Sequence, residues 1–100
     1  MYYIYILFSK ASNKYYVGHT DDVQRRLNEH NDSDRLTYTS KHRPWKLCAV
    51  FECSSVRNEA LALERFIKRQ KSRGLIQRMV DGEKLNGRLA QLVRVPHVRD

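Results

Sequence analysis

One hundred residues suit a single domain and leave no room for a second buried core. With 41% hydrophobic and 30% charged residues the chain has the balance of a folded protein rather than a disordered one, and no apolar run approaches the roughly 20 residues that span a bilayer. A formal charge of +8, with Lys and Arg outnumbering Asp and Glu by 19 to 11, makes nucleic acid the leading partner and an anionic membrane surface its rival.

Met1 leads directly into aromatic residues without a signal-peptide pattern, so a cytoplasmic location is expected and no membrane association. Tyr2 to Phe8 is rich in aromatic and β-branched residues and too short for a helix, which predicts a first strand. Ser9 to Lys14 has turn chemistry, and Tyr15 to Gly18 resumes strand character, so the two segments form a hairpin. Thr20 and Asp21 are candidate caps for a helix over Asp22 to His30, where Val23, Leu27 and His30 recur at helical spacing. Asn31 to Arg43 shows no periodicity and reads as a loop that can lie against a ligand, closed by Pro44.

Trp45 to Phe51 predicts a third strand continuing toward Cys53. Val56 to about Lys71 follows the helical repeat through Ala60, Leu63 and Ile67, with Ser54 and Ser55 as caps. Gly74 suits a C-terminal cap, after which Leu75, Ile76, Met79 and Val80 suggest a short third helix. The regular domain is read as residues 1–80. Asp81 to Asp100 is read as a flexible tail, although the alternation around Leu92 to Val95 leaves a terminal strand open. Cys48 and Cys53 lack the companions of a zinc site or a disulfide framework and read as reduced, apolar strand residues.

Some residues fit a purely structural role poorly. At about 100° per residue, Glu64 falls within the sector spanned by Leu61, Leu63 and Ile67, so a carboxylate faces the core side of the long helix. An unpaired buried charge costs several kcal/mol, so Glu64 must find a cation, a donor cluster or solvent in a cleft; a partner such as an internal Arg and a metal ion are equally good readings. Arg26 and His30 share one face of the first helix, while Arg25 and Glu29 read as a separate pair nearer solvent. Taken singly, a satisfied histidine and a structural ion pair are the commoner explanations of these two.

Tyrosines crowd the opening hairpin, and strand alternation lets one from each strand meet in a common pocket. Lys41, Arg43 and Lys46 surround the start of the third strand, and Arg65, Lys68, Arg69, Lys71 and Arg73 follow Glu64 without an intervening acid. Such a run is often just a solvated face; as a phosphate track it implies binding that weakens steeply with salt.

The stretch from Tyr16-Val17-Gly18 through Arg26 to His30 closely resembles the YIG half of the GIY-YIG nuclease motif and its following helix, and Tyr3-Ile4-Tyr5 matches the GIY half. The separations of Tyr5, Tyr16, Arg26 and His30 agree with the family, and Glu64 falls where the family keeps its acidic metal ligand. The resemblance covers Met1 to Val80 and is nearest to small stand-alone, excinuclease-like bacterial members. Tyr3 replaces the glycine of the motif name, a substitution common in this branch, and the further domains of larger members are replaced by a tail.

The resemblance implies an α/β (α+β) fold, a three-stranded antiparallel sheet flanked by helices, and metal-dependent endonucleolytic hydrolysis of DNA phosphodiesters in repair or recombination. In that scheme Tyr16 is the general base, its phenol (ordinarily near pKa ~10) assisted by positive charge. Arg26 neutralises the scissile phosphate, and Glu64 holds one Mg²⁺ or Mn²⁺. Tyr5 orients water or phosphate, His30 contacts phosphate or moves a proton, and His19 assists Tyr16. DNA, branched or damaged, is the expected partner, with room for a protein partner. The alternative is a nucleic-acid-binding module on a nuclease scaffold that works through a partner without useful catalysis. Either reading requires the two strands and two helices to converge on one concave pocket.

Overall fold

The computed structural model describes residues 1–32 and 38–96. Its elements are β1 (Tyr2–Ser9), β2 (Lys14–Thr20), α1 (Val23–Asp32), β3 (Trp45–Ser54), α2 (Arg57–Arg69), α3 (Arg73–Val80) and β4 (Val93–Arg94). Short 3₁₀ turns lie at Thr39–His42 and Gly87–Gln91. No helix among the described residues is long and apolar enough to cross a membrane.

The strands form one antiparallel sheet in the order β2-β1-β3-β4. β1 sits inside it because its side chains are apolar on both faces. Ile4 and Ile6 face one side with Val17, Ala49 and Phe51, and meet Leu63 and Ile67 of α2 and Met79 of α3. Tyr5 and Leu7 face the other side, where Trp45, Val23 and Leu27 close a smaller cluster under α1.

The sheet thus has four strands, where three are expected from the sequence. A two-residue strand is too short to leave a periodic pattern, and β4 is held by tertiary contacts instead. The reading of everything beyond Val80 as a tail is corrected with it. Leu89 and Leu92 are buried in the main core, and the Arg94 guanidinium donates to the carbonyls of Met79, Val80 and Cys48 while stacking on Phe51. The last four residues of the predicted tail, and residues 33–37 of the predicted loop, lie outside the described residues. Of the rest of that loop, Asn31 and Asp32 extend α1.

Three caps also differ. Asp22, not Thr20 or Asp21, caps α1, its Oδ1 accepting from the Arg25 N–H at 3.1 Å, while Thr20 Oγ1 accepts from the Asp22 N–H. Ser54 Oγ accepts from the Val56 N–H, one position before α2 begins. Gly74 is no C-terminal cap: it sits in the first turn of α3, whose N-cap Ser72 accepts from the Leu75 N–H, and the left-handed residue after α2 is Lys71 (φ 47°). Cys48 and Cys53 are half-buried on β3 and form no disulfide with each other.

Candidate active site

β2 is an edge strand, and its alternation distributes the motif residues over both faces of the sheet. Tyr16 and Gly18 lie opposite Leu7 and Tyr5, on the α1 side; Val17 and His19 lie opposite Ile6 and Ile4, on the α2 side. The Tyr5 ring crosses over Gly18, where any Cβ would lie 2.4 Å from the phenolic oxygen. Glycine is therefore required at this position for Tyr5 to reach toward the margin of the sheet.

Under α1 the groups form a buried chain. Tyr5 Oη and His30 Nε2 are hydrogen-bonded at 2.9 Å, and His30 Nδ1 meets Thr39 Oγ1 at 3.0 Å. The Tyr16 ring packs edge-on against His30 with centroids 5.0 Å apart. Burial drives the Tyr5 phenol well above its usual range, a rise that the Arg26 guanidinium partly opposes, so Tyr5 stays protonated. Burial, with the positive charge of Arg26, lowers His30 to about 4, so at neutral pH its ring has one donor and one acceptor nitrogen. The two hydroxyls satisfy both.

On the opposite face α2 supplies Glu64, whose side chain is only 13% exposed. One carboxylate oxygen pairs with His19 Nδ1 at 2.7 Å and the other accepts from Lys68 Nζ at 2.9 Å. The same ammonium stands 5.0 Å from the centre of the Tyr16 ring. Lys68 thus reaches around the open side of β2 and connects a phenol on one face with a carboxylate on the other. The carboxylate's partner is neither an internal Arg nor any one residue, but a histidine and a lysine together.

The described residues line a cleft near each end of β2. Near its start lies a cleft of about 480 Å³ that includes Lys14, Tyr16, Tyr38, Lys68, Lys71 and Arg73. Near its end lies a second, of about 510 Å³ and more polar, that includes Tyr2, His19, Thr20, Arg25, Arg26 and Arg57. Glu64 sits between them, with His19 on one side and Lys68 on the other. His19 accordingly turns toward Glu64, where the sequence expectation has it assisting Tyr16.

The pairing expected between Arg25 and Glu29 is also different. Arg25 bonds Asp21 and Arg26 bonds Glu29, each at 3.0 Å, because both partners lie one helical turn away on exposed flanks of α1. Of the expected phosphate track, Lys68, Lys71 and Arg73 line the first cleft, whereas Arg65 and Arg69 are exposed elsewhere on α2 and Lys41 on the 3₁₀ turn. Arg43 is half-buried, its Nε donating to the His30 carbonyl. Arg73 grips the Asn13 carbonyl and side chain and lies over Tyr15. Sequence reasoning missed Lys14 and Arg57. Lys14 carried a signal, being a cation one residue before the paired tyrosines; Arg57 carried none, since only the packing of α2 along β2 brings it to the site.

Tyrosines, an arginine, histidines and a glutamate thus gather about the edge strand of a mixed sheet-and-helix domain. The family model for the GIY-YIG catalytic domain matches residues 1–78, and the chain belongs to this nuclease family, whose substrate is nucleic acid. Its relatives include a UPF0213 protein of Limosilactobacillus reuteri, 38% identical over 84% of this chain and 92% of the relative. A UPF0213 protein of Haloquadratum walsbyi is 36% identical over 80% of this chain and 91% of its own length. UPF0213 protein YazA of Bacillus subtilis is 31% identical, with 96% of this chain and 93% of the relative aligned.

Proposed function

We propose that this chain is a divalent-metal-dependent endonuclease that hydrolyses DNA phosphodiester bonds, acting on branched or damaged DNA in repair or recombination. The observation that carries the reading is the link from Tyr16 through Lys68 to Glu64 around the margin of β2. Among the described residues no three His, Cys, Asp or Glu side chains gather into a closed metal-binding set. A single carboxylate suits a hard cation such as Mg²⁺ or Mn²⁺, which keeps water and phosphate oxygens in its shell, and the ion would take the place of the Lys68 ammonium on Glu64. When bound, that cation supplies Lewis acidity to the phosphate and leaving oxygen.

The chain's own residues do the rest. Tyr16, in its deprotonated form, takes the proton of the attacking water, with the Lys68 ammonium 5.0 Å from the centre of its ring. Arg26 neutralises the phosphoryl oxygens, and Tyr5, kept protonated, donates a hydrogen bond toward the water or phosphate. His30 fixes the Tyr5 hydroxyl, and His19 orients the Glu64 carboxylate.

A cleavage panel of duplex, branched and single-stranded DNA with Mg²⁺ or Mn²⁺ tests this reading. Glu64→Ala and Tyr16→Phe are each expected to abolish cutting while retaining the fold and most DNA affinity; normal cutting by both ends the assignment. A second reading, binding without catalysis, draws support from the same carboxylate, since both Glu64 oxygens are already engaged by His19 and Lys68. Salt-sensitive binding with no cleavage across the panel decides for it, and nicking that disappears in Glu64→Ala decides against it.

A further inference from the structure

Resting on the nuclease reading, we propose that the cleft at the end of β2 is a second phosphate subsite, where Arg57 and Arg25 grip the nucleic-acid backbone beside the scissile position. An exposed arginine usually needs no ligand at all, so position has to carry the argument. Arg57 opens α2 and lines this cleft together with Tyr2, Thr20, Arg25 and Arg26. Among the described residues its guanidinium has no ion pair and no hydrogen bond, whereas of the acids of the cleft Asp21 is held by Arg25 and Glu29 by Arg26.

The clefts are arranged in line with the chemistry. His19, in this cleft, holds one oxygen of Glu64, and Lys68, in the other, holds the second. A backbone phosphate placed at Glu64 therefore has cations in both directions along β2: Lys71 and Arg73 toward the strand's start, Arg57 and Arg25 toward its end. Seven strand residues extend roughly 20 Å, enough for several successive phosphates of one strand. Guanidinium groups bind such oxygens through paired N–H donors, and the Tyr2 hydroxyl adds a further donor.

The test is fluorescence anisotropy of the full chain on labelled duplex and branched DNA in EDTA, over a salt series. Arg57→Gln is expected to lower the slope of log affinity against log salt by about one, the signature of one lost phosphate contact. Arg57→Lys keeps most of the slope, and Arg78→Gln, which removes an equal charge from α3 outside both clefts, leaves it unchanged. Thermal melts confirm that each variant is folded. A wild-type protein that binds and cuts while Arg57→Gln retains the full slope overturns the subsite alone, as does an equal drop in Arg78→Gln. A wild-type protein that binds no DNA overturns the nuclease reading along with it.

Discussion

The two faces of the sheet are built on different terms. Beneath α2 and α3, ten buried apolar side chains from Ile4 to Leu92 pack without a polar interruption, and the charged groups of α2 appear only where the sheet ends. Beneath α1 the apolar cluster shrinks to Tyr5, Leu7 and Trp45 with their half-buried neighbours, and hydroxyls and an imidazole run through it. The first face supplies cohesion through area removed from water. The second gives up part of that area to hold a tyrosine hydroxyl and a neutral histidine in fixed positions beside the edge strand.

If this division is right, truncation of the apolar face has the largest effect. Leu63→Ala, at a side chain only 2% exposed, is expected to lose about 3 kcal/mol in urea unfolding, the usual cost of a Leu-sized cavity. A loss under 1 kcal/mol would show that the α2 face is not the main source of stability.

The α1 face is sharpened next by acid. His30 has a folded value lowered to about 4 from an ordinary 6.5, so the unfolded chain binds the proton more readily. Stability contributed by the neutral ring is full above pH 6.5 and is lost progressively as pH falls toward 4. Unfolding curves across that window are expected to show the loss in the native protein and a shallower one in His30→Gln. Equal slopes would remove histidine from the account of this face.

The smallest effect is expected at the junction of the faces. Gly18→Ala places a methyl against the buried Tyr5 phenol and is expected to cost about 1–2 kcal/mol by overpacking, less than the cavity at Leu63. Its chemical shifts should move Tyr5 and His30 and leave Leu63 and Ile67 in place; a uniform disturbance would mean that the two faces are not separable.

Much of this was legible in the chain. The hairpin, β3 and the two principal helices follow from alternation and helical repeat, and the inward turn of Glu64 follows from its angle relative to Leu63 and Ile67. Strand alternation allowed a tyrosine from each strand to meet on one face, without saying which two; the rings of Tyr5 and Tyr16 stand 6.4 Å apart. What escaped was whatever depends on long-range packing. β4 has two residues and no pattern, Leu89 and Leu92 look like any tail apolar pair, and Arg57 lies far in sequence from the motif. The partners of Glu64 escaped for another reason: Lys68 is visible one turn away, but His19 is 45 residues distant and meets it only across the β2 edge.

Because β2 has a neighbour on one side only, its outer backbone groups are open to ladder pairing with any extended peptide. Lys14 on that strand, with Lys68 and Lys71 beside it, sets like charge against like whenever two copies approach edge to edge. The cations proposed to draw a polyanion to this margin therefore also guard it against self-association, so that neutralising several of them at once is expected to raise its tendency to aggregate.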